Sequence, residues 1–272
     1  MSLPPPTVST RAVVTGASSG IGMALATELA RRGHSLIVVA RRGEVLEELR
    51  ERLEREFRVT VEVRACDLAD PAARQPLLDE LAGREISIPC NNAGIATFGP
   101  IASLDPDYEK TQVQLNAVAC HDLILAVLPG MVSRRSGAIL NVGSAAGNMP
   151  IPNNATYAAS KAFLNTFSES LRGEVKDAGI HVTLLAPGPV RNEEIADEDK
   201  TFVALLVPDR LWVDTEYTAR VSLDALARNK MRVVPGPLSQ AMSVAGNYTP
   251  RAIMAPIVGR FYAKLGEGQQ DG

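Results

Sequence analysis

Tyr157 and Lys161 stand four residues apart in the stretch YAASK. On a helix that interval puts a phenol and an amine on one face, one turn apart, and the neighbouring Ala158, Ala159 and Ala162 favour helix. Two readings fit the pair: two polar side chains on a solvated face, or a proton-transfer couple. A free tyrosine has a pKa of about 10, and bringing it towards neutrality takes roughly 4 kcal/mol of differential stabilisation, which a nearby ammonium can supply.

A second group that could do chemistry is TGASSGIG, residues 15–22. Gly16 permits a tight turn, while Gly20 and Gly22 let the backbone approach a pyrophosphate at the positive end of a helix. The candidate phosphate site is therefore Gly16, Ser18, Ser19, Gly20, Ile21 and Gly22. An ordinary glycine-rich turn is the alternative; a strand before the loop and a helix after it supply the required context. Nineteen residues beyond Gly22 comes Arg41, followed by Arg42, in VVARRGE. NAD-binding versions of this arrangement place an acidic residue there for the ribose hydroxyls. Two guanidinium groups suit a 2′-phosphate instead, through forked, charge-assisted hydrogen bonds. NADP(H) is the expected cofactor. The alternative is solvated charge before a helix, which is how Arg31 and Arg32 read.

These groups need elements to hold them. Short β-branched runs at 11–16, 35–40, 59–68, 86–94, 137–144, 180–188 and 230–236 alternate with helical patterns at 20–32, 44–57, 70–82, 105–129, 154–178 and 219–229. Such alternation implies a parallel sheet covered on both faces, and right-handed crossovers make it an α/β, doubly wound Rossmann fold of about seven strands. A single domain is expected over 11–236, with a disordered proline-rich arm at 1–10 and a tail at 237–272. The acidic run 191–200 and the apolar segment after it suit a lid at about 191–215.

These motifs resemble the short-chain dehydrogenase/reductase family. The resemblance rests on TGASSGIG, Asp67–Leu68, NNAG at 91–94, Asn116, Ser144, YAASK at 157–161 and PGPV at 187–190, all in order, and covers roughly residues 10–190. It implies that Tyr157 is the general acid or base, that Lys161 lowers its pKa and holds the nicotinamide ribose, and that Ser144 positions the substrate oxygen. Asn116 is then expected to hold a water relaying protons to Lys161. Asp67 and Leu68 should flank the adenine, Asn92, Ala93 and Gly94 should lie beside the cofactor ribose, and Pro187, Gly188, Val190 and Asn192 should meet the nicotinamide end. Three departures stand out: Pro89 and Cys90 in the fourth strand, which should distort it, Asn192 in place of a usual threonine, and an ending without the usual glycine-rich strand.

The expected activity is interconversion of a ketone or aldehyde and an alcohol, with an apolar substrate side suggested by Phe98, Met149, Pro150, Phe202, Leu205, Leu206 and Trp212. A non-catalytic NADP(H) sensor or an interaction protein using its tail are the alternatives. The resemblance also implies a homodimer or homotetramer through the helices at 105–129 and 154–178. A net charge of −3 argues against sequence-independent nucleic-acid binding. Three widely spaced cysteines and scattered histidines suggest a reducing compartment and no metal site. No basic and apolar leader pattern opens the chain and no uninterrupted apolar stretch reaches the ~18 residues of a spanning helix, so a cytoplasmic location without membrane contact is expected.

Overall fold

The computed structural model describes residues 2–188, 190, 212–237 and 239–241. Seven strands form one parallel sheet: β1 (Arg11–Thr15), β2 (Leu36–Ala40), β3 (Val61–Ala65), β4 (Ile86–Asn91), β5 (Gly137–Val142), β6 (Ile180–Leu185) and β7 (Arg232–Val233). Their order across the sheet is β3-β2-β1-β4-β5-β6-β7, so the chain reverses direction of winding between β1 and β4. That reversal opens a crevice beyond the carboxyl ends of the two strands, where doubly wound sheets bind ligands.

Helices cover both faces. Among the described residues they are α1 (Gly20–Arg31), α2 (Gly43–Phe57), α3 (Pro71–Ala82), α4 (Pro106–Val113), α5 (Ala119–Arg134), α6 (Ala155–Glu174) and α7 (Thr215–Ala227). Because β2 is buried on both sides, its alternate residues serve two cores. Leu36 and Val38 join Leu25, Leu29, Leu46, Leu53 and Leu223 on one face, and Ile37 and Val39 join Leu78, Leu81, Ile124 and Met131 on the other. Each such fully buried leucine or isoleucine contributes roughly 1.5–3 kcal/mol relative to exposure.

The helix expected over 105–129 is two α-helices joined by a π-helical stretch, Gln114–Val118, in which Ala119 N–H donates to Gln114 C=O. The whole run Pro106–Arg134 is 29 residues and apolar enough by composition to cross a membrane, yet 44% of its most apolar window is buried inside the fold. Val113, Leu125 and Val132 on this run, and Phe163 on α6, remain exposed.

Pro89 leaves a visible mark on β4. Pairing with β1 shifts register between Arg11 and Ala12, which oppose Ile86 and Ile88. Ser87 falls in the gap, and its hydroxyl donates to Arg11 C=O at 3.2 Å. On the other side, β4 pairs with β5 only at Cys90–Leu140 and Asn91–Asn141, whereas β5 and β6 pair at six positions. The side chains of Asn91 and Asn141 add a buried hydrogen bond of 2.8 Å across the short seam.

Of residues 2–10, expected to be a disordered arm, Leu3 packs against the first core while Val8 is almost fully exposed. Most of the expected lid, and the tail beyond residue 241, fall outside the described residues, as do Phe202, Leu205 and Leu206. What is described of the tail is integral: Ser239 is buried against Gly188.

At the amino end of β3, Glu62 accepts from Arg84 (2.6 Å) and Arg11 (2.9 Å), while Arg64 pairs with both Glu62 and Glu80. The Arg84 bond, aided by Arg11 and opposed by desolvation, holds the Glu62 carboxyl at about 2 instead of 4.5. A carboxyl lowered by folding contributes stability that is complete above its unfolded value and lost as pH falls through its folded value. Urea-unfolding midpoints should therefore drop as pH is lowered from about 4.5 to about 2, and Glu62→Gln should flatten that drop. An equal slope in the variant would assign the acid sensitivity to other groups.

Candidate active site

The crevice is a cavity of about 750 Å³ whose wall includes Gly16, Ser18, Ser19, Gly20, Ile21, Arg41, Arg42, Asp67, Leu68, Asn92, Ala93, Gly94, Tyr157, Lys161, Pro187, Gly188 and Val190. Seventeen of the expected site residues thus converge on one space. Gly22 lies beneath it, and Asn116 lines a small pocket directly behind. Asn192 is outside the described residues.

The phosphate loop owes its shape to its glycines. Gly16 and Gly20 have φ of +66° and +51°, and a Cβ on Gly22 would stand 2.1 Å from the Gly16 carbonyl oxygen. Helix α1 therefore approaches the end of β1 as closely as only glycine allows. Thr15 ties this loop to NNAG. Its hydroxyl accepts from Asn92 N–H (2.9 Å) and Ala93 N–H (3.1 Å), and Asn92 Nδ2 donates back to Thr15 C=O at 2.9 Å.

At the end of β2, the Arg42 guanidinium does not simply point to solvent. It donates to Ser18 Oγ (2.9 Å) and Ser18 C=O (3.2 Å), bridging the β2 end to the phosphate loop. Arg41 is exposed and lines the same wall. Among the described residues, no acidic side chain occupies the position that would hold ribose hydroxyls at this strand end.

Helix α6 brings the reacting groups. Tyr157 sits near its start, and Lys161 one turn on is buried with its Nζ donating to Val142 C=O at 2.9 Å. The Nζ lies 5.7 Å from the centre of the Tyr157 ring. Burial draws the Lys161 pKa down from 10.5 to about 8. Burial also raises the Tyr157 pKa, and the opposing influence is a hydrogen bond with Ser144. The Lys161 ammonium, next to the phenol on the same face of α6, is held by the Val142 carbonyl. Ser144, whose hydrogen bond favours phenolate, also caps the 3-10 turn Ala145–Asn148 by accepting from Ala146 N–H.

Asn116 is buried directly behind the crevice. Its Oδ1 accepts from Ile95 N–H (2.9 Å), and its Nδ2 donates to Ile95 C=O (2.8 Å) and Ser160 Oγ (3.1 Å). Through both amide protons and its oxygen the side chain braces the loop after NNAG. A Cβ on Gly94 would stand 3.1 Å from this Oδ1 and 3.3 Å from Lys161 Nζ, which explains the glycine between them.

A cradle of this shape, with paired arginines at its adenosine end and a phenol and amine at the other, fits a phosphorylated dinucleotide. A family model described as short chain dehydrogenase matches residues 10–201. The chain belongs to the short-chain dehydrogenase/reductase family.

Relatives agree with that assignment. A very-long-chain 3-oxoacyl-CoA reductase of Bos taurus is 36% identical over 180 residues, 65% of this chain. One of Danio rerio is 38% identical over the same length. The match spans 58% and 56% of those proteins' own lengths. Among solved structures, a short-chain dehydrogenase from Sphingobium yanoikuyae in complex with NADPH superposes with a TM-score of 0.79 at 31% identity, covering 90% of this chain and 95% of that one. The bulky-bulky ketone specific alcohol dehydrogenase of Comamonas testosteroni gives 0.73 at 29%, covering 90% and 96%.

Several wall residues escaped the sequence reading: Cys66, Ile95, Ala96, Leu115, Val142, Gly143 and Thr215. Adjacency to Asp67, NNAG and Ser144 was the available signal for most of them; Thr215, which follows the α7 cap Asp214, had none. Conversely, Phe98, Met149, Pro150 and Trp212 do not line the cavity. The chain turns away after Ala96, where Gly99 at φ +136° donates its N–H to Asn153 C=O.

Because burial disfavours the charged Lys161, its penalty is complete below about 8 and gone above 10.5. Lys161→Met should therefore unfold at higher urea than wild type at neutral pH, with the advantage shrinking as pH rises through that window. Urea titrations at three pH values would check this, and a variant less stable at every pH would contradict the assigned burial cost.

Proposed function

We propose that the protein is an NADPH-dependent reductase of ketones, with bulky or acyl-chain 3-oxo compounds as the first substrates to test. The observation that carries the cofactor assignment is Arg42 bridged to Ser18 beside the exposed Arg41, two cations where an NAD enzyme would carry a carboxylate. The names of the relatives and the NADPH complex of the Sphingobium yanoikuyae enzyme support the same reading.

In this reading the backbone of 16–22 takes the pyrophosphate, Arg41 and Arg42 the 2′-phosphate, Asp67 and Leu68 the adenine, and Lys161 the nicotinamide ribose. When bound, the reduced nicotinamide supplies the hydride. Ser144 Oγ hydrogen-bonds the substrate oxygen, and Tyr157 gives it a proton as negative charge develops there. A phenol held protonated by burial is suited to that direction: it keeps its proton, as the neutral acid, throughout the neutral range, and a forming alkoxide is basic enough to take it. The reverse oxidation needs phenolate, which Ser144 favours and burial opposes.

A homodimer or homotetramer is part of the proposal. The exposed Val113, Leu125, Val132 and Phe163 on α4, α5 and α6 support it, as a self-complementary apolar face. So is a cytoplasmic location, with which three unpaired cysteines are compatible.

NADPH consumption with a panel of aryl, cyclic and 3-oxoacyl ketones should depend on Tyr157, with Tyr157→Phe lowering kcat by about 100-fold or more at unchanged NADPH affinity, the usual scale for a proton donor. Arg41→Ala should weaken NADPH at least about tenfold and leave NADH unaffected, as expected for a lost charge-assisted contact. Equal binding of NADH and NADPH by the wild type would overturn the cofactor reading.

A further inference from the structure

We propose that Asn165 is a positioning residue for Ser144, gripping its main chain so that its hydroxyl stays directed at Tyr157 and the substrate oxygen. The inference deepens the reductase reading and rests on it for the substrate step alone. Asn165 lies one helical turn beyond Lys161 and two beyond Tyr157, so α6 presents all three on one stripe. Its carboxamide is buried and meets Ser144 on both sides of the peptide: Oδ1 accepts from Ser144 N–H at 3.4 Å, and Nδ2 donates to Ser144 C=O at 3.0 Å. Nδ2 also donates to Asn148 Oδ1 at 3.1 Å, across the 3-10 turn that Ser144 caps.

The glycines on either side mark how close this grip is. A Cβ on Gly143 would stand 2.1 Å from Asn165 Oδ1, and one on Gly147 would stand 2.6 Å from Asn165 Nδ2. The segment 143–147 is thus folded around the carboxamide, and any side chain at either glycine would push it away. The hold continues outward. Arg232 Nη2 donates to Asn148 Oδ1 (3.3 Å) and pairs with Glu169 Oε1 (2.9 Å), one further turn along the same stripe of α6. Ser144 is therefore tied through Asn165 and Asn148 to β7, on the far side of β6 from its own strand.

Two features separate positioning from mere support. Asn165 does not itself line the cavity and stands behind the wall residue Gly143, so removing it should spare cofactor binding. And Ser144 supplies the hydrogen bond that opposes burial at Tyr157, so loosening Ser144 should change how the phenol ionises.

The test compares wild type with Asn165→Leu, similar in size but without polar atoms, and with Asn165→Asp, which keeps the acceptor for Ser144 N–H. NADPH affinity, followed by nicotinamide fluorescence, should stay within about twofold in both, well under one tenfold step of binding energy. Ketone turnover should fall by about 100-fold in Asn165→Leu, the scale of a catalytic group displaced by about 1 Å, and by less in Asn165→Asp. Ultraviolet titration of the Tyr157 phenol with NADP⁺ present, taken as the difference from the matching Tyr157→Phe background, should move to higher pH in Asn165→Leu. This second readout needs no turnover. A wild type that reduces no ketone would sink the reductase reading and leave the titration to decide the role of Asn165. An unshifted phenol and unchanged turnover in a folded variant would overturn the proposal. Should Asn165→Leu not fold, the titration and turnover of Asn165→Asp decide instead, with wild-type values on both counting against it.

Discussion

The hydroxyl of Thr15 is the contact on which the site depends. It lies at the carboxyl end of β1, where the sheet reverses its winding and two strand ends, β1 and β4, diverge into loops. Diverging loops leave main-chain N–H groups without sheet partners, and burying such groups unpaired costs about 1–3 kcal/mol each. Thr15 accepts two of them, from Asn92 and Ala93, and its own carbonyl takes the Asn92 amide. The phosphate loop and NNAG are thereby held as one unit. Everything downstream, including the close approach of α1 and the gap in which Gly94 separates Asn116 from Lys161, presupposes that unit.

Helix α6 supplies the second organising element. Residues at intervals of four down one stripe reach successively the Ser144 hydroxyl, the Val142 carbonyl, the Ser144 main chain and Arg232. A single helix therefore sets both the proton donor and the residue that directs it. The cost falls on Lys161, whose charge is buried among few compensating groups. Stability given up at a functional position in this way is common where geometry is held by tertiary packing.

The sequence made the architecture legible because the sheet is buried on both faces: runs such as LIVVA can only be central strands, and each was bounded by a turn. The phosphate loop, the arginine pair and the YAASK helix were legible because their chemistry is local. What was hidden depends on distances between segments. The π-helical turn at Asn116 has no mark in QVQLNAV, and the partner its side chain meets there, Ile95, is twenty-one residues away in sequence. The engagement of Lys161 with Val142, and the resulting balance at Tyr157, turn on a carbonyl nineteen residues away in sequence. Asn165 read as one more polar residue on a long helix. Pro89 was the exception: a proline without a donor in a central strand announced a distortion, and the register shift at Ser87 is its form.

That distortion also bears on how the native state opens. Backbone bonds across a sheet set which parts exchange their amide hydrogens together, and a short ladder marks a boundary between cooperative units. The β4–β5 ladder has two paired positions, as few as β6–β7 at the sheet's edge and fewer than the other four seams. It divides the strands that carry the phosphate loop, β3 to β4, from those that carry Ser144 and, through α6, Tyr157. A dinucleotide lying along the crevice would touch both units at once. Its binding energy then acts as a clasp across this short seam, raising the free energy of sub-global opening, so that occupancy of the crevice and cohesion of the domain rise together.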